Sequence, residues 1–275
     1  MFRDEGSHLK EWVEYHKTLG VDHFLLYNDR SIDNWKEVLA PYINSGLVEV
    51  IDWHKNEKTS LFPTWQTMAY HDAIKRSKNK TTWIAFIDID EFILPMKNAT
   101  ILDCIKKYFS KASGIFICWR NFGTGKVYVQ KGEPLLTNLL YCSKLLHPRN
   151  ASGKSIVKID DIIPELIWSP HHIPLKKGKK YYDGSGKQLF FNGCDLVVNP
   201  QHTSKFIRIN HYAMKDENFY QNVRLPKAIS KEYGELSLLL EHYKSFNVNK
   251  DKQIVKFLEK YHAKKFKEVW GNSLK

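Results

Sequence analysis

The chain has 275 residues, 43% of them hydrophobic and 13% aromatic, enough to bury a large core as one domain and too apolar for a disordered chain. Its 42 Lys plus Arg against 30 Asp plus Glu give a formal charge of +12, which favours an anionic partner: nucleic acid, a phosphorylated donor or an acidic membrane surface. Cys104, Cys118, Cys142 and Cys194 form no CxxC pair, which argues against a zinc ribbon or a redox motif and leaves reduced, buried thiols. No apolar run approaches the roughly 20 residues of a membrane span, and no signal-peptide core opens the sequence. A soluble, cytoplasmic chain is expected. Peripheral membrane contact through the basic runs at 175–180 and around Lys264, Lys265 and Lys267 is an option, though such runs read equally as solvated surface.

In chain order, Leu9, Trp12, Val13, His16 and Leu19 follow a helical period, with Ser7 as N-cap and Gly20 as stop. Residues 21–27 suit a buried strand, 28–33 a polar turn, 34–43 a second helix and 47–53 a second strand. Pro63 and Thr64 open a third helix whose Trp65, Met68, Ala69 and Ala73 share one face, and 83–87 is the next apolar strand. Strands alternating with helices predict an α/β fold, a doubly wound sheet with helices on both faces and ligands beyond the carboxyl ends of the strands. After about residue 112 shorter strands follow (114–119, 126–129), then Gly-rich turns and, beyond Asn218, C-terminal helices. The expected organisation is one domain over 1–275. Residues 1–112 form a nucleotide-binding half, 113–225 an acceptor side and 226–275 terminal helices.

The run Trp83–Pro95 contains Asp88 and Asp90. In a strand, positions i and i+2 face one way, so the two carboxylates would meet at one point, where a hard divalent ion with phosphate oxygens relieves their repulsion. A bare D-x-D also arises by chance at a solvent-facing strand end. Glu91 would support the pair or contact substrate.

Here the sequence resembles the glycosyltransferase family 2-like group that includes glycosyltransferase family 92. The resemblance runs through Arg3-Asp4-Glu5, Leu9 to His16, Leu19 to His23, Tyr27 to Asn34, Trp83 to Phe92, Trp119 to Gly125, Lys154 to Val157 and Asn210-His211-Tyr212, so it covers about residues 3–225. It implies a GT-A fold with a mixed sheet, a nucleotide-sugar donor, and Mn²⁺ or Mg²⁺ held by Asp88 and Asp90, with His211 completing the metal shell. It also implies that Asp4, Glu5, Asp29 and Asp33 lie near the nucleoside, with Asp88 at the diphosphate. A doubly wound site normally begins with a strand before the first helix, yet only Met1 to Arg3 precede the turn at 4–6. Either that strand is minimal or the chain is shorter than its relatives.

Phe206–Tyr212 alternates like a strand, with Ile207, Ile209 and His211 on one face; a lone His there is as often a rim residue as a ligand. His171 and His172 could position acceptor or phosphate. Of Trp119 and Phe122, the first reads as core and the second as an exposed ring for stacking on a sugar. Lys154 and Arg224 offer charge to a diphosphate, but in so basic a chain each reads first as surface. For a catalytic base the sequence offers Asp160, Asp161, Glu165, Asp183 and Asp195, with Asp161 placed first.

The expected activity is metal-dependent, inverting transfer of a sugar from a UDP-sugar-like donor to a glycan or other hydroxyl acceptor. A catalytically inactive scaffold of the same fold is one alternative. A nucleotidyltransferase is another, although the Gly-rich phosphate loop it would carry is missing. No nucleic-acid motif accompanies the charge, so nucleic acid is not expected as a partner.

Overall fold

The computed structural model describes residues 1–54, 64–192, 195–196, 204–230 and 233–273; Pro63 and Cys194, and the side chain of Asp195, lie outside the described residues. Strands are β1 Phe24–Asn28, β2 Val48–Asp52, β3 Trp83–Phe86, β4 Glu91–Pro95, β5 Gly114–Asn121, β6 Tyr141–Cys142, β7 Gly153–Lys158, β8 Tyr181–Asp183, β9 Gln188–Leu189, β10 Phe191–Asn192, β11 Asp195–Leu196, β12 Ile207–His211 and β13 Asn249–Lys250. Helices are α1 Gly6–Thr18, α2 Trp35–Asn44, α3 Trp65–Ser77, α4 Ile101–Tyr108, α5 Leu135–Asn138, α6 Glu217–Phe219, α7 Leu225–Ile229, α8 Tyr233–Ser245, α9 Gln253–Tyr261 and α10 Ala263–Trp270. None of the described helices is long and apolar enough to cross a membrane.

Helix α1 forms because Leu9, Trp12, Val13 and His16 bury one stripe. Ser7 lies inside the helix and does not cap it; Glu5 holds the N-cap position without a side-chain cap bond. Gly6 is required there, since a Cβ would stand 2.5 Å from Asn34 Oδ1 and 2.9 Å from Asp33 Oδ2. Thr64 caps α3 by accepting the Thr67 N–H. Ahead of α1, Phe2 makes a parallel bridge to Asn28, and β1 and β2 pair in parallel across α2.

The principal sheet is mixed, in the order β3-β7-β5-β12-β4, with β8 beside the first half of β5 and β12 beside its second half. A mixed sheet is as expected, but the order is not doubly wound: β7 runs antiparallel to β3 and β5, and β4 antiparallel to β12. Helices flank it. Ile115 and Ile117 face the cluster containing α1, α4 and α9, while Phe116 and Cys118 face the one containing α3. The expected strand at 126–129 does not form. Lys126 is left-handed (φ 58°), the Val129 N–H donates to the Asp216 carboxylate at 3.0 Å and Val127 C=O accepts from Glu217, so these backbone groups are spent outside any ladder.

One feature of this order positions the site. β3 and β4 are the two edges of the five-strand path, yet only residues 87–90 join them. A flat sheet would hold those edges about 19 Å apart, four spacings of about 4.8 Å. Five residue steps reach about 18 Å when fully extended, and here they include a turn, so the sheet must curl. The carboxyl ends of β3, β5 and β12 and the amino ends of β7 and β4 therefore close into one rim around Asp88 and Asp90.

Candidate active site

Strand β3 stops at Phe86, so Asp88 and Asp90 sit on the connecting turn, not at alternate positions of one strand. Backbone bonds fix this turn: Glu91 N–H donates to Asp88 C=O at 3.1 Å and Tyr212 N–H to Asp90 C=O at 2.8 Å. From α1, the Trp12 indole N–H reaches the carbonyls of Asp88 (2.9 Å) and Glu91 (3.0 Å).

Each neighbouring strand end supplies one group to the turn. From β12, His211 Nε2 lies 3.8 Å from Asp90 Oδ2, while its Nδ1 bonds Asn121 Oδ1 on β5 at 2.9 Å. An amide oxygen only accepts, so Nδ1 carries the hydrogen and the Nε2 lone pair is turned toward Asp90. Burial lowers the His211 pKa, with Asp90 and Asp88 opposing that shift and Lys154 and Arg224 adding to it. From β7, the buried Lys154 Nζ lies 2.8 Å from Asp88 Oδ2, and from α3 Gln66 Nε2 donates to Asp88 Oδ1 at 3.1 Å. Burial disfavours both charges, yet the pairing prevails: Asp88 is held below the usual carboxylate range, and Glu91, Tyr70 and Asp88 hold Lys154 above the usual lysine range.

Glu91 is fully buried behind this pair. Its Oε1 accepts the Trp119 indole N–H at 2.8 Å and its Oε2 accepts the Asp88 N–H at 2.8 Å. Burial, reinforced by Asp88 and Asp90 and opposed by Lys154, pushes its pKa up to about 8. It supports the turn and Trp119 from within. Trp119 in turn stacks on His211, with ring centroids 4.3 Å apart at 28°.

The expected nucleoside residues gather at the carboxyl end of β1, bound mostly to one another's backbone. Asp33 accepts the N–H groups of Gly6 (2.6 Å) and Trp35 (3.3 Å); Asp4 accepts Ile32 N–H at 2.8 Å. Glu5 is held by Lys215 and by His8 at 3.0 Å. Asp29 differs: Arg3 and Arg30 approach at 4.0 and 3.5 Å, but its buried Oδ1 accepts no hydrogen bond among the described residues.

Asp161 is not brought to this rim. It follows β7 at the far end of the β3–β7 ladder, where Trp83 pairs with Lys158, whereas Asp88 and Lys154 lie at the near end. Burial opposes its ionisation, but Lys179 at 2.8 Å and Ser113 hold its pKa low, a poor property for a base. Asp160 neighbours it, and Glu165 follows on an exposed turn. Asp183 is buried, capping its own turn through Ser185 and Lys187 N–H groups at 2.9 Å each.

The sequence profile described as Glycosyltransferase family 92 matches residues 1–232. The chain belongs to glycosyltransferase family 92. A family 92 protein of Oryza sativa subsp. japonica is 30% identical over 69% of this chain and 31% of its own length. One from Ricinus communis is 26% identical over 76% of this chain and 36% of its own. The galactan beta-1,4-galactosyltransferase GALS2 of Arabidopsis thaliana is 25% identical over 67% of this chain and 36% of its own. The chain thus spans about a third of the length of these curated relatives.

Several residues of this family 92 chain escape a reading by composition. Lys154 is buried, not superficial, and in the mixed strand Gly153–Lys158 its residue type does not separate it from the half-buried Lys158. Gln66 sits on a helix that looks merely amphipathic. The aromatic pair at the Gly-Thr-Gly turn is reversed: Trp119 is half-exposed at the rim, whereas Phe122 is buried against Tyr212 at 4.7 Å. Arg224 closes a π-helical turn, Tyr220–Arg224, with its buried Nε lacking a partner among the described residues.

Proposed function

We propose that the chain is a metal-dependent glycosyltransferase. It moves a sugar from a uridine-diphosphate sugar to a glycan hydroxyl and inverts the anomeric carbon. The observation that carries this reading is the approach of His211 Nε2 to Asp90 Oδ2, 3.8 Å, at the rim where the sheet closes. A carboxylate oxygen suits Mn²⁺ or Mg²⁺, and the added imidazole lone pair favours the transition ion Mn²⁺ over Mg²⁺. The three-ligand set expected with Asp88 is not assembled: among the described residues no group of three or more His, Cys, Asp or Glu is placed to hold a metal. Asp88 is engaged by Lys154 and Gln66 instead. Two protein ligands fit an ion that takes its remaining oxygens from a diphosphate and water, as Mg²⁺-type sites do. When bound, such an ion stabilises the charge of the departing diphosphate.

The chain's own residues do the rest. Asn121 and Trp119 fix the His211 ring, Lys154 fixes Asp88, and Arg224 offers unpaired N–H to phosphate. Asp29, its side chain 20% exposed and its Oδ1 without a hydrogen bond among the described residues, offers a carboxylate to the nucleoside. The relative's name makes galactose the first sugar and galactan the first acceptor to try. The test is thermal unfolding with a panel of nucleotide sugars, with and without Mn²⁺, followed by release of nucleoside diphosphate. A uridine-diphosphate sugar should raise the midpoint in Mn²⁺ and much less in chelator. Equal shifts in chelator would refute metal dependence, and binding without release would leave an inactive scaffold of the same fold.

A further inference from the structure

Of the described carboxylates offered by the sequence as a base, Asp161 lies at the far end of the ladder with Asp160 beside it, Glu165 follows on an exposed turn and Asp183 caps a turn; Glu91, at the rim, is fully buried and doubly bonded. At the rim itself stands a histidine. His171 is half-buried beside β7, its Nδ1 3.1 Å from the Gly153 carbonyl. A carbonyl only accepts, so Nδ1 carries the hydrogen and Nε2 presents a lone pair. The ring is held on several sides. Ser169 Oγ accepts its backbone N–H at 3.2 Å, Ser155 Oγ donates to its carbonyl at 3.1 Å, and the Trp119 indole meets it edge-on at 5.5 Å and 75°.

We infer that His171 Nε2 is the general base that takes the proton of the attacking hydroxyl. This rests on the transferase reading above. His171 is bonded to β7 and His211 stands on β12, on opposite sides of β5, with Trp119 of β5 touching both rings. Two strand spacings separate β7 from β12 by about 10 Å. That is room for one sugar between a diphosphate at Asp90 and His211 and a hydroxyl at His171. The acceptor oxygen forms its bond to the anomeric carbon from the His171 side. The anomeric carbon's bond to the diphosphate breaks, its electron pair leaving on the phosphate oxygen. The hydroxyl proton goes to Nε2 and from there to solvent.

Burial lowers the His171 pKa, Lys154 and His172 adding to that and the Gly153 carbonyl and Asp88 opposing it, so the ring is neutral at physiological pH and its Nε2 lone pair is free of a proton.

The test is His171→Asn, whose amide N–H can keep the bond to Gly153 while Nε2 is lost. The probe is hydrolysis of the uridine-diphosphate sugar that the unmodified protein turns over fastest, with water as acceptor. We expect kcat to fall about 10²-fold to 10⁴-fold, with the affinity for uridine diphosphate and the unfolding midpoint unchanged, and imidazole added to His171→Ala to restore turnover. A kcat within threefold of the unmodified protein, a parallel loss of nucleotide affinity, or a slow variant that imidazole does not rescue would overturn the inference. An unmodified protein inert toward every donor would instead remove the transferase reading, and this inference with it.

Discussion

Replacing Lys154 with Met tests the electrostatic frame of the site. The Lys154 side chain is 2% exposed with its ammonium 2.8 Å from Asp88 Oδ2, and it also opposes the upward shift of Glu91. Met fills a similar volume without charge, so the loss is electrostatic. Removing one partner of a buried pair costs about 3 to 5 kcal/mol. Here the Asp88 side chain is 36% exposed, and solvent recovers part of that; a cost of roughly 2 to 3 kcal/mol follows. With an m-value of about 2.5 kcal/mol per molar, the urea midpoint should fall by about 1 M. Lys154→Met combined with Asp88→Asn should fall short of the sum of the single effects by at least about 1 kcal/mol, since the pair is then removed together. A single variant within about 0.5 kcal/mol of the unmodified protein, or strict additivity, would refute the reasoning.

Asp90→Asn should abolish the Mn²⁺-dependent part of the donor-induced thermal shift and leave the unliganded midpoint within about 1 °C, because the carboxylate sits on a rim turn held by backbone bonds. Asp29→Ala should weaken uridine-diphosphate binding about tenfold by calorimetry. Asp33→Ala should instead cost about 1 to 2 kcal/mol of stability, since it strips an acceptor from Gly6 and Trp35 N–H groups. His16 bridges Trp12 C=O and Ile93 N–H as a neutral ring, and burial pushes its pKa down to about 4. Its folded value lies below its unfolded one, so its contribution is full above about pH 6.5 and falls away toward pH 4, with about 2 kcal/mol lost by pH 5. His16→Gln should remove that slope from chemical denaturation measured at pH 7.5 and pH 5.

The periodic elements were legible in the sequence because burial of one face determines them. α1, α2 and α3, and the strands at 24–28, 48–52, 83–86, 114–121 and 207–211, lie within a few residues of their expected positions. The order of the sheet was not. Phe92-Ile93-Leu94-Pro95 reads as an apolar run after a motif, and nothing local says that it pairs antiparallel with Ile207–His211, more than a hundred residues away. That pairing displaces Asp88 and Asp90 from a strand end to a turn. It also sets Glu91 opposite His211 in the ladder, and so brings the Asp90 side chain toward the imidazole. Lys154 and Asp161 illustrate the same limit: residue type alone put one at the surface and the other in the site, and the β3–β7 register reverses both. Period reports burial; register, which decides what meets at the rim, depends on distant partners.

The rim also depends on residues beyond the family match. Trp119, Asn121 and His211 point to one side of β5 and β12, and by alternation Arg120 and Arg208 point to the other. Both guanidiniums are buried, and the described carboxylate they share is Asp251, with Arg208 Nη1 at 2.9 Å and Arg120 Nε at 3.9 Å from its Oδ2. Asp251 follows β13, which pairs with β6, and its N–H donates to Leu140 C=O. Nearby, Asn247 accepts the Gly125 N–H at 2.7 Å, and Tyr243 donates to the buried Glu217 at 3.1 Å, bracing the Gly-Thr-Gly turn. Residues 243–251 thus neutralise and brace the back of the two strands whose front ends carry the imidazole and the indole. Two buried cations without their carboxylate would cost several kcal/mol, concentrated on those same strands. The matched region 1–232 therefore contains the residues of the rim, but holding them in register requires the segment through Asp251.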